Sequence, residues 1–215
     1  GESMQFTFSD AWTFETGTEG FSYADDTFNL TSNPLMASGS HDPTGGFSGA
    51  GLKVYLGPGP TNGATSGAWS RDIIALVDTT IDVSLRYRMI MGAGYEPEEY
   101  GEVLLEIDGV RYGADLNNSL VHSTGADAND TGWLYASFTV PVTAGAHTVT
   151  IGAYNNGSTS ADEFLEVFFD EVAAVLADTG GLGADIVNVN PDPRTSSVGE
   201  IQIVFSEPIT GFDLS

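Results

Sequence analysis

Ile81-Asp82-Val83-Ser84-Leu85-Arg86-Tyr87-Arg88-Met89-Ile90-Met91 decides the fold class. Val83, Leu85, Tyr87 and Met89 alternate with polar or charged neighbours. A period of two marks a strand with one buried face. The pattern recurs in Phe6/Phe8, Leu52/Val54/Leu56 and Val103/Leu105/Ile107. It returns in Leu134/Ala136/Phe138/Val140, Val149/Ile151/Ala153 and Leu165/Val167/Phe169. Breaks rich in Gly, Asn and Asp separate the runs, and no window shows helical periodicity. The expected class is all-β, with two antiparallel sheets packed as a sandwich. Two hairpins are expected. One joins Ile81–Met91 to Glu102–Asp108; the other joins Leu134–Val142 to His147–Tyr154 through Thr143-Ala144-Gly145-Ala146.

Composition narrows the partners. The chain has 215 residues, 41% of them hydrophobic, which is enough for a real core. Lys and Arg number 6 against 30 Asp and Glu, a net charge of −24. Such a surface excludes nucleic acid and anionic membrane as partners. It suits calcium-rich or salty water, where self-repulsion is screened, and so a marine or halophilic source. No apolar run approaches the length of a membrane span, so no membrane insertion is expected. Cysteine is absent, which removes disulfides, thiolate metal sites and thiol chemistry together.

Two motifs bracket the chain: Phe14-Glu15-Thr16-Gly17-Thr18-Glu19-Gly20-Phe21 near the start, and Glu166-Val167-Phe168-Phe169-Asp170-Glu171-Val172 about 150 residues later. First and last strands of a sandwich are often neighbours, so Glu15 and Asp170 are expected to meet. Two hard oxygen ligands brought together suggest calcium. Composition shifts after Val175, dividing the chain into a sandwich over 5–176, a Gly-rich linker over 177–184 and a tail over 185–215. The tail carries two strand-like runs, Ile186–Val189 and Ile201–Phe205, and is too short to close a core alone. It is expected to dock on the sandwich or to pair with another chain through an exposed edge.

With the strands placed, residues 12–176 resemble a jelly-roll carbohydrate-binding module of modular secreted bacterial proteins. The matching stretches are Phe14–Gly17 with Gly20-Phe21, Gly49–Val54, Gly67–Arg71, Leu85–Arg88 and Ala161–Glu163 running into Phe169–Val172. The tail, which ends in Phe205-Ser206-Glu207-Pro208-Ile209-Thr210-Gly211-Phe212-Asp213-Leu214-Ser215, resembles the opening of a bacterial immunoglobulin-like module. The first resemblance implies a secreted or cell-surface location and a structural calcium between the first strand region and the last. The ligands it implies are the Glu15 and Asp170 side chains and the Gly17 and Lys53 carbonyls. Asp42 is the further carboxylate expected there.

Recognition residues are sought among charged and aromatic side chains. Arg86 and Arg88 share one strand face; Glu102 and Glu106 share the polar face of the next run. An even register sets Arg86 opposite Glu106, with Glu166 on the same sheet face. The bland reading is a salt-bridge ladder; the functional one is a cleft gripping an acidic or hydroxylated sugar by forked hydrogen bonds. Tyr95 and Tyr100 lie in one long loop, and Tyr154 with Asn155 lies near a strand end. Sugar rings stack on such aromatics while Asn side chains, Asn117 among them, take the hydroxyls. Trp12 and Trp69 read as core or rim residues.

Glu99/Glu102 and Glu163/Glu166 share a spacing, but acidic residues are too abundant for it to single out a catalytic pair. A second calcium site is the better reading of them. Asp127–Asp130 lacks the Gly and distal Glu of a calcium loop, and the three histidines have no metal-ligand spacing. The sequence therefore points to a non-catalytic, calcium-stabilised module that tethers a larger secreted or surface protein to a polysaccharide or glycan. The rival is a structural or adhesive surface subunit that self-associates through residues 185–215.

Overall fold

A computed structural model describes residues 9–57, 63–125, 129–160, 162–177, 184–186 and 203–205, the last two segments for their backbone alone. The chain divides into two compact units, Gly1–Ala177 and Asp178–Ser215. In the first, the strands are β1 (Ser9–Trp12), β2 (Ser22–Asp25), β3 (Ala37–Asp42), β4 (Gly51–Leu56) and β5 (Thr65–Ala75). Then come β6 (Thr79–Met91), β7 (Tyr100–Ile107), β8 (Val110–Arg111) and β9 (Val121–Thr124). The last are β10 (Asn129–Asp130), β11 (Leu134–Val142), β12 (Gly145–Asn155) and β13 (Leu165–Leu176). In the second unit β14 (Ala184–Ile186) pairs antiparallel with β15 (Ile203–Phe205). The rest of the expected linker and tail lies outside the described residues, as do Phe6 and Phe8. Among the described residues no helix is long and apolar enough to cross a membrane.

The first unit is a two-sheet antiparallel sandwich. Sheet A runs β10-β6-β13-β4-β3, with β1 also on β13 and β11 also on β6. Sheet B runs β2-β5-β12-β7-β8, with β9 also on β7. β6 shows why the sequence folds this way. Ile81, Val83, Leu85, Tyr87, Met89 and Met91 are buried, while Asp82, Ser84, Arg86, Arg88 and Ile90 between them are not. Leu52, Val54 and Leu56 of β4 and Val103, Leu105 and Ile107 of β7 supply inward rows to the same core. Each fully buried side chain of this kind contributes about 1.5–3 kcal/mol. Trp12 and Trp69 belong to that core.

Both expected hairpins are overturned. β6 lies in sheet A and β7 in sheet B; β11 pairs with β6, whereas β12 pairs with β5 and β7. Sequence neighbours here cross between the sheets, so alternation located the strands but not their partners. Glu106 consequently faces Arg111 of β8, not Arg86. The short turn that does form a hairpin joins β7 to β8, with Asp108 at φ 52 and Gly109 at φ 76, the left-handed pair a type I′ turn requires.

β13 carries one irregularity. Leu165, Val167 and Phe169 point inward, and so do Val172 and Ala174. The register against β6 moves from Asp170↔Arg86 to Ala173↔Ser84, three residues against two. Glu171, at φ 46, is part of this bulge. The extra residue restores the apolar face to the core after a change of parity.

Candidate functional site

The expected recognition residues fall in three different places. Tyr95 and Asn155 are interior, both 0% exposed. The Asn155 amide donates to the Tyr95 hydroxyl, and its carbonyl accepts from the Thr65 N–H. Neither can offer a face to a ligand, because the loop carrying Tyr95 folds inward. Tyr100, Tyr154 and Asn117 gather on the outer face of sheet B. Tyr100 lies 4.5 Å from the His122 ring and 5.9 Å from Tyr154. Asn117 and His122 both bond Glu102 Oε1, at 2.7 and 2.9 Å. Phe28 closes this face by packing on Ala68, Leu104 and Tyr154.

Arg86 and Arg88 lie on the opposite side, on the outer face of sheet A. Each is paired as a ladder requires, but with partners the sequence did not indicate. Arg86 Nε donates to Glu171 Oε2 at 2.6 Å. Arg88 grips Asp130 through both Nε (2.9 Å) and Nη2 (2.5 Å). That fork holds the Asp130 carboxyl down at about 2. Glu166 shares this face, and its partner is Lys53.

Aromatic rings surround these charges. Phe47, 45% exposed, sits 3.9 Å from the Arg86 guanidinium carbon and edge-on to Trp133 at 5.9 Å. Lys53 lies over Phe168, and Tyr55 stacks on Phe164 at 6.4 Å. Two hollows open here. One of about 440 Å³ is walled by Ile90, Asn129, Asp130, Asp162 and Phe164. The other, about 210 Å³, is walled by Asp42, Thr44, Arg88, Trp133 and Phe168. Asp130 lines the first and its partner Arg88 the second, so this ion pair stands between the two hollows of a grooved face. Phe168 was legible in the sequence only as an aromatic out of phase with inward Val167 and Phe169. Asp130 and Asp162 stood out in the sequence only within a loop weighed for calcium and a stretch of the family resemblance, and not as neighbours, because they come from separate short segments.

The bracketing carboxylates converge on one loop, residues 43–50 between β3 and β4. The Ala50 N–H donates to Glu15 Oε1 at 3.1 Å. The Ser48 N–H donates to Asp170 Oδ2 at 3.0 Å, and the Glu171 N–H to its Oδ1 at 2.6 Å. Asp42 holds the start of the loop through the Thr44 N–H at 3.0 Å. Glycines make the approach possible. A Cβ on Gly46 would stand 2.1 Å from the Ala50 carbonyl and 2.9 Å from Asp170 Oδ2, and one on Gly49 2.3 Å from Glu15 Oε1.

Asp170 is 0% exposed, and burial pushes its carboxyl up against the pull of the Ser48 and Glu171 amides. The donors are all hard oxygens, a set that fits calcium. The oxygens of Glu15, Asp42 and Asp170 are nevertheless not all within 4.8 Å of one another. Of the expected carbonyl ligands, that of Lys53 already accepts the Trp69 indole N–H at 3.1 Å. Gly17 sits in the turn whose N–H returns to Phe14 O.

A second acidic group forms where the two spaced pairs exchange members. Glu99 and Glu163 meet Glu96, with carboxylate oxygens within 4.8 Å of one another. Burial, then the Glu96 side chain, pushes Glu99 up to about 7. Burial acts on Glu163 too, but the Thr159 and Ser160 amides outweigh it and lower its pKa. Glu102 and Glu166 are left on opposite faces of the sandwich.

No family model matches the chain, and no curated protein does. Solved structures do. A CBM61 module in complex with β-1,4-galactotriose is 13% identical, with a TM-score of 0.44 over 76% of this chain and 94% of that one. The CBM22-1 xylan-binding domain of Paenibacillus barcinonensis Xyn10C is 14% identical, with a TM-score of 0.38 over 78% and 92%. The enzymatically active domain of tailspike protein 4 from bacteriophage CBA120 is 9% identical, with a TM-score of 0.38 over 76% and 20%. Structural neighbours of this chain thus include carbohydrate-binding modules of the β-sandwich type. These likenesses, all below a TM-score of 0.5, assign no function to it.

Proposed function

We propose that the protein binds carbohydrate in the groove on the outer face of sheet A and performs no chemistry on it. The observation that carries this reading is the pair of hollows on either side of Arg88–Asp130, with Phe164, Trp133 and Phe168 in their walls and Phe47 edge-on to Trp133. The larger one falls within the roughly 300–1,000 Å³ usual for small-molecule sites. Aromatic faces accept the C–H surface of a sugar ring. Asn129 and Asp162 accept hydroxyl donors beside them.

A calcium ion belongs to the same reading. Glu15 and Asp170 hold it with Asp42 and the Gly17 carbonyl, and it neutralises the buried Asp170 charge. Its work is to fix loop 43–50, which carries Phe47 to the rim. In this reading the module tethers a larger secreted or cell-surface protein to polysaccharide. Individual contacts are weak, and repetition of modules supplies avidity.

The test is retention on a panel of immobilised polysaccharides, wild type against Trp133→Ala and Phe168→Ala. Loss of one stacking ring, worth about 1.5 kcal/mol, weakens binding about tenfold. Tyr100→Ala, on the far face, leaves it unchanged. A wild-type protein that no glycan retains, or a Trp133→Ala variant that binds as wild type does, overturns the assignment.

A further inference from the structure

Resting on the carbohydrate reading above, we infer that the groove selects glycan chains free of carboxylate and sulfate groups. The inference comes from how the six cations of the chain are used. Lys53, Arg86 and Arg88, half of them, lie on this one face. On that count alone the face looks built for an anion. Each of the three is already taken, by Glu166, Glu171 and Asp130 respectively.

Among the described residues Arg88 is the only guanidinium lining either hollow, and Asp130 occupies its Nε–Nη2 edge. Setting aside Asp42, which the calcium reading commits to the ion, the carboxylates of Asp130 and Asp162 line the hollows against that single cation among the described residues, so the lining carries no excess of positive charge. The Asp130 carboxyl stays ionised at any ordinary pH, since the Arg88 fork holds it at about 2. Behind this stands the net charge of −24.

A carboxylate only accepts hydrogen bonds, so the groove offers acceptors to hydroxyl donors and repulsion to acidic groups. An incoming uronate would meet a guanidinium whose charge Asp130 already balances. The acidic sugar that the two arginines suggest in sequence is therefore the disfavoured ligand. The hydroxylated one is favoured.

The test pairs each neutral polysaccharide of the panel with a carboxymethylated derivative of the same backbone. Affinity is measured at about 0.01 M and about 1 M salt, where the screening length falls from about 30 Å to about 3 Å. Neutral chains are expected to bind with little salt dependence. The carboxymethylated chains should bind roughly tenfold or more weakly at low salt, with much of the gap closing at high salt. Asp162→Asn narrows the low-salt gap. A carboxymethylated chain that binds more tightly than its parent at low salt overturns the inference and leaves the carbohydrate reading standing. So does a deficit that salt does not relieve, since that reports shape and not charge. Binding of neither form overturns the carbohydrate reading, and the inference with it.

Discussion

Asp170→Asn separates the part of Asp170 that is packing from the part that is charge. The side chain is wholly buried beneath loop 43–50 and accepts two backbone N–H groups. No basic side chain pairs with it among the described residues, since Arg86, opposite in register, bonds Glu171. Asn keeps one acceptor and turns an amide toward the other N–H, a loss of about 1–3 kcal/mol. It also removes a buried charge whose effective desolvation cost is several kcal/mol. The two offset, so the metal-free variant melts near the wild type.

The calcium response does not offset. An ion present at about 100 times its dissociation constant adds about 2.7 kcal/mol to a protein that binds it only when folded. For a unit spanning Gly1–Ala177, about 2–4 °C per kcal/mol, this is a rise of about 5–10 °C. Differential scanning calorimetry in chelator and in calcium should show that rise in wild type and less than about 2 °C in Asp170→Asn. Equal rises in both, or none in wild type, refute the placement of the ion under the loop.

Gly46→Ala should destabilise the sandwich by about 1–3 kcal/mol, read by urea melts, because its Cβ meets backbone at 2.1 Å. Its calcium response should shrink with it. Phe28→Ala empties the cover over Ala68, Leu104 and Tyr154 and should cost about 3–5 kcal/mol in the same melts, while retention by glycan through the opposite face persists. His147 bonds Asp108, which raises its pKa, as does the Thr143 carbonyl. Burial pushes Asp108 up, but the His147 and Thr148 bonds outweigh it and lower its pKa. Stability from His147 is thus full below its unfolded value of about 6.5 and lost as pH rises through the raised one. That from Asp108 is full above about 3.9 and lost as pH falls through the lowered one. The wild type should lose up to about 1 kcal/mol between about pH 5 and pH 9 that His147→Gln does not lose; parallel pH profiles would contradict this.

Strands with one dry face announced themselves, and β4, β6, β7, β11, β12 and β13 were legible for that reason. β5 was not, because Thr65 through Trp69 are all buried and show no alternation. β2 and β3 are short, polar edge strands with little apolar pattern to read. Partnering was illegible throughout, since alternation fixes a face and says nothing about which sheet receives it. At the site, Arg86 and Arg88 were found, but their carboxylates were misassigned along with the sheet. Tyr95 misled because a tyrosine in a Gly- and Pro-containing loop looks exposed until the loop turns inward. Glu15, Asp42 and Asp170 were brought to the same loop because the first strand, the β3–β4 hairpin and the last strand are neighbours in sheet A.

The bulge at Asp170–Glu171 has a consequence for how this chain can change in length. β13 consists of two runs of opposite parity, odd positions inward before the bulge and even positions inward after it. Elsewhere in the strand a single inserted or deleted residue turns half of an apolar row to solvent, and only changes of two are neutral to the core. At the bulge one residue has already been absorbed, and removing it would carry Val172 and Ala174 outward together with the register of β1. Relatives of this chain should therefore differ in length in their loops and keep the count across this strand.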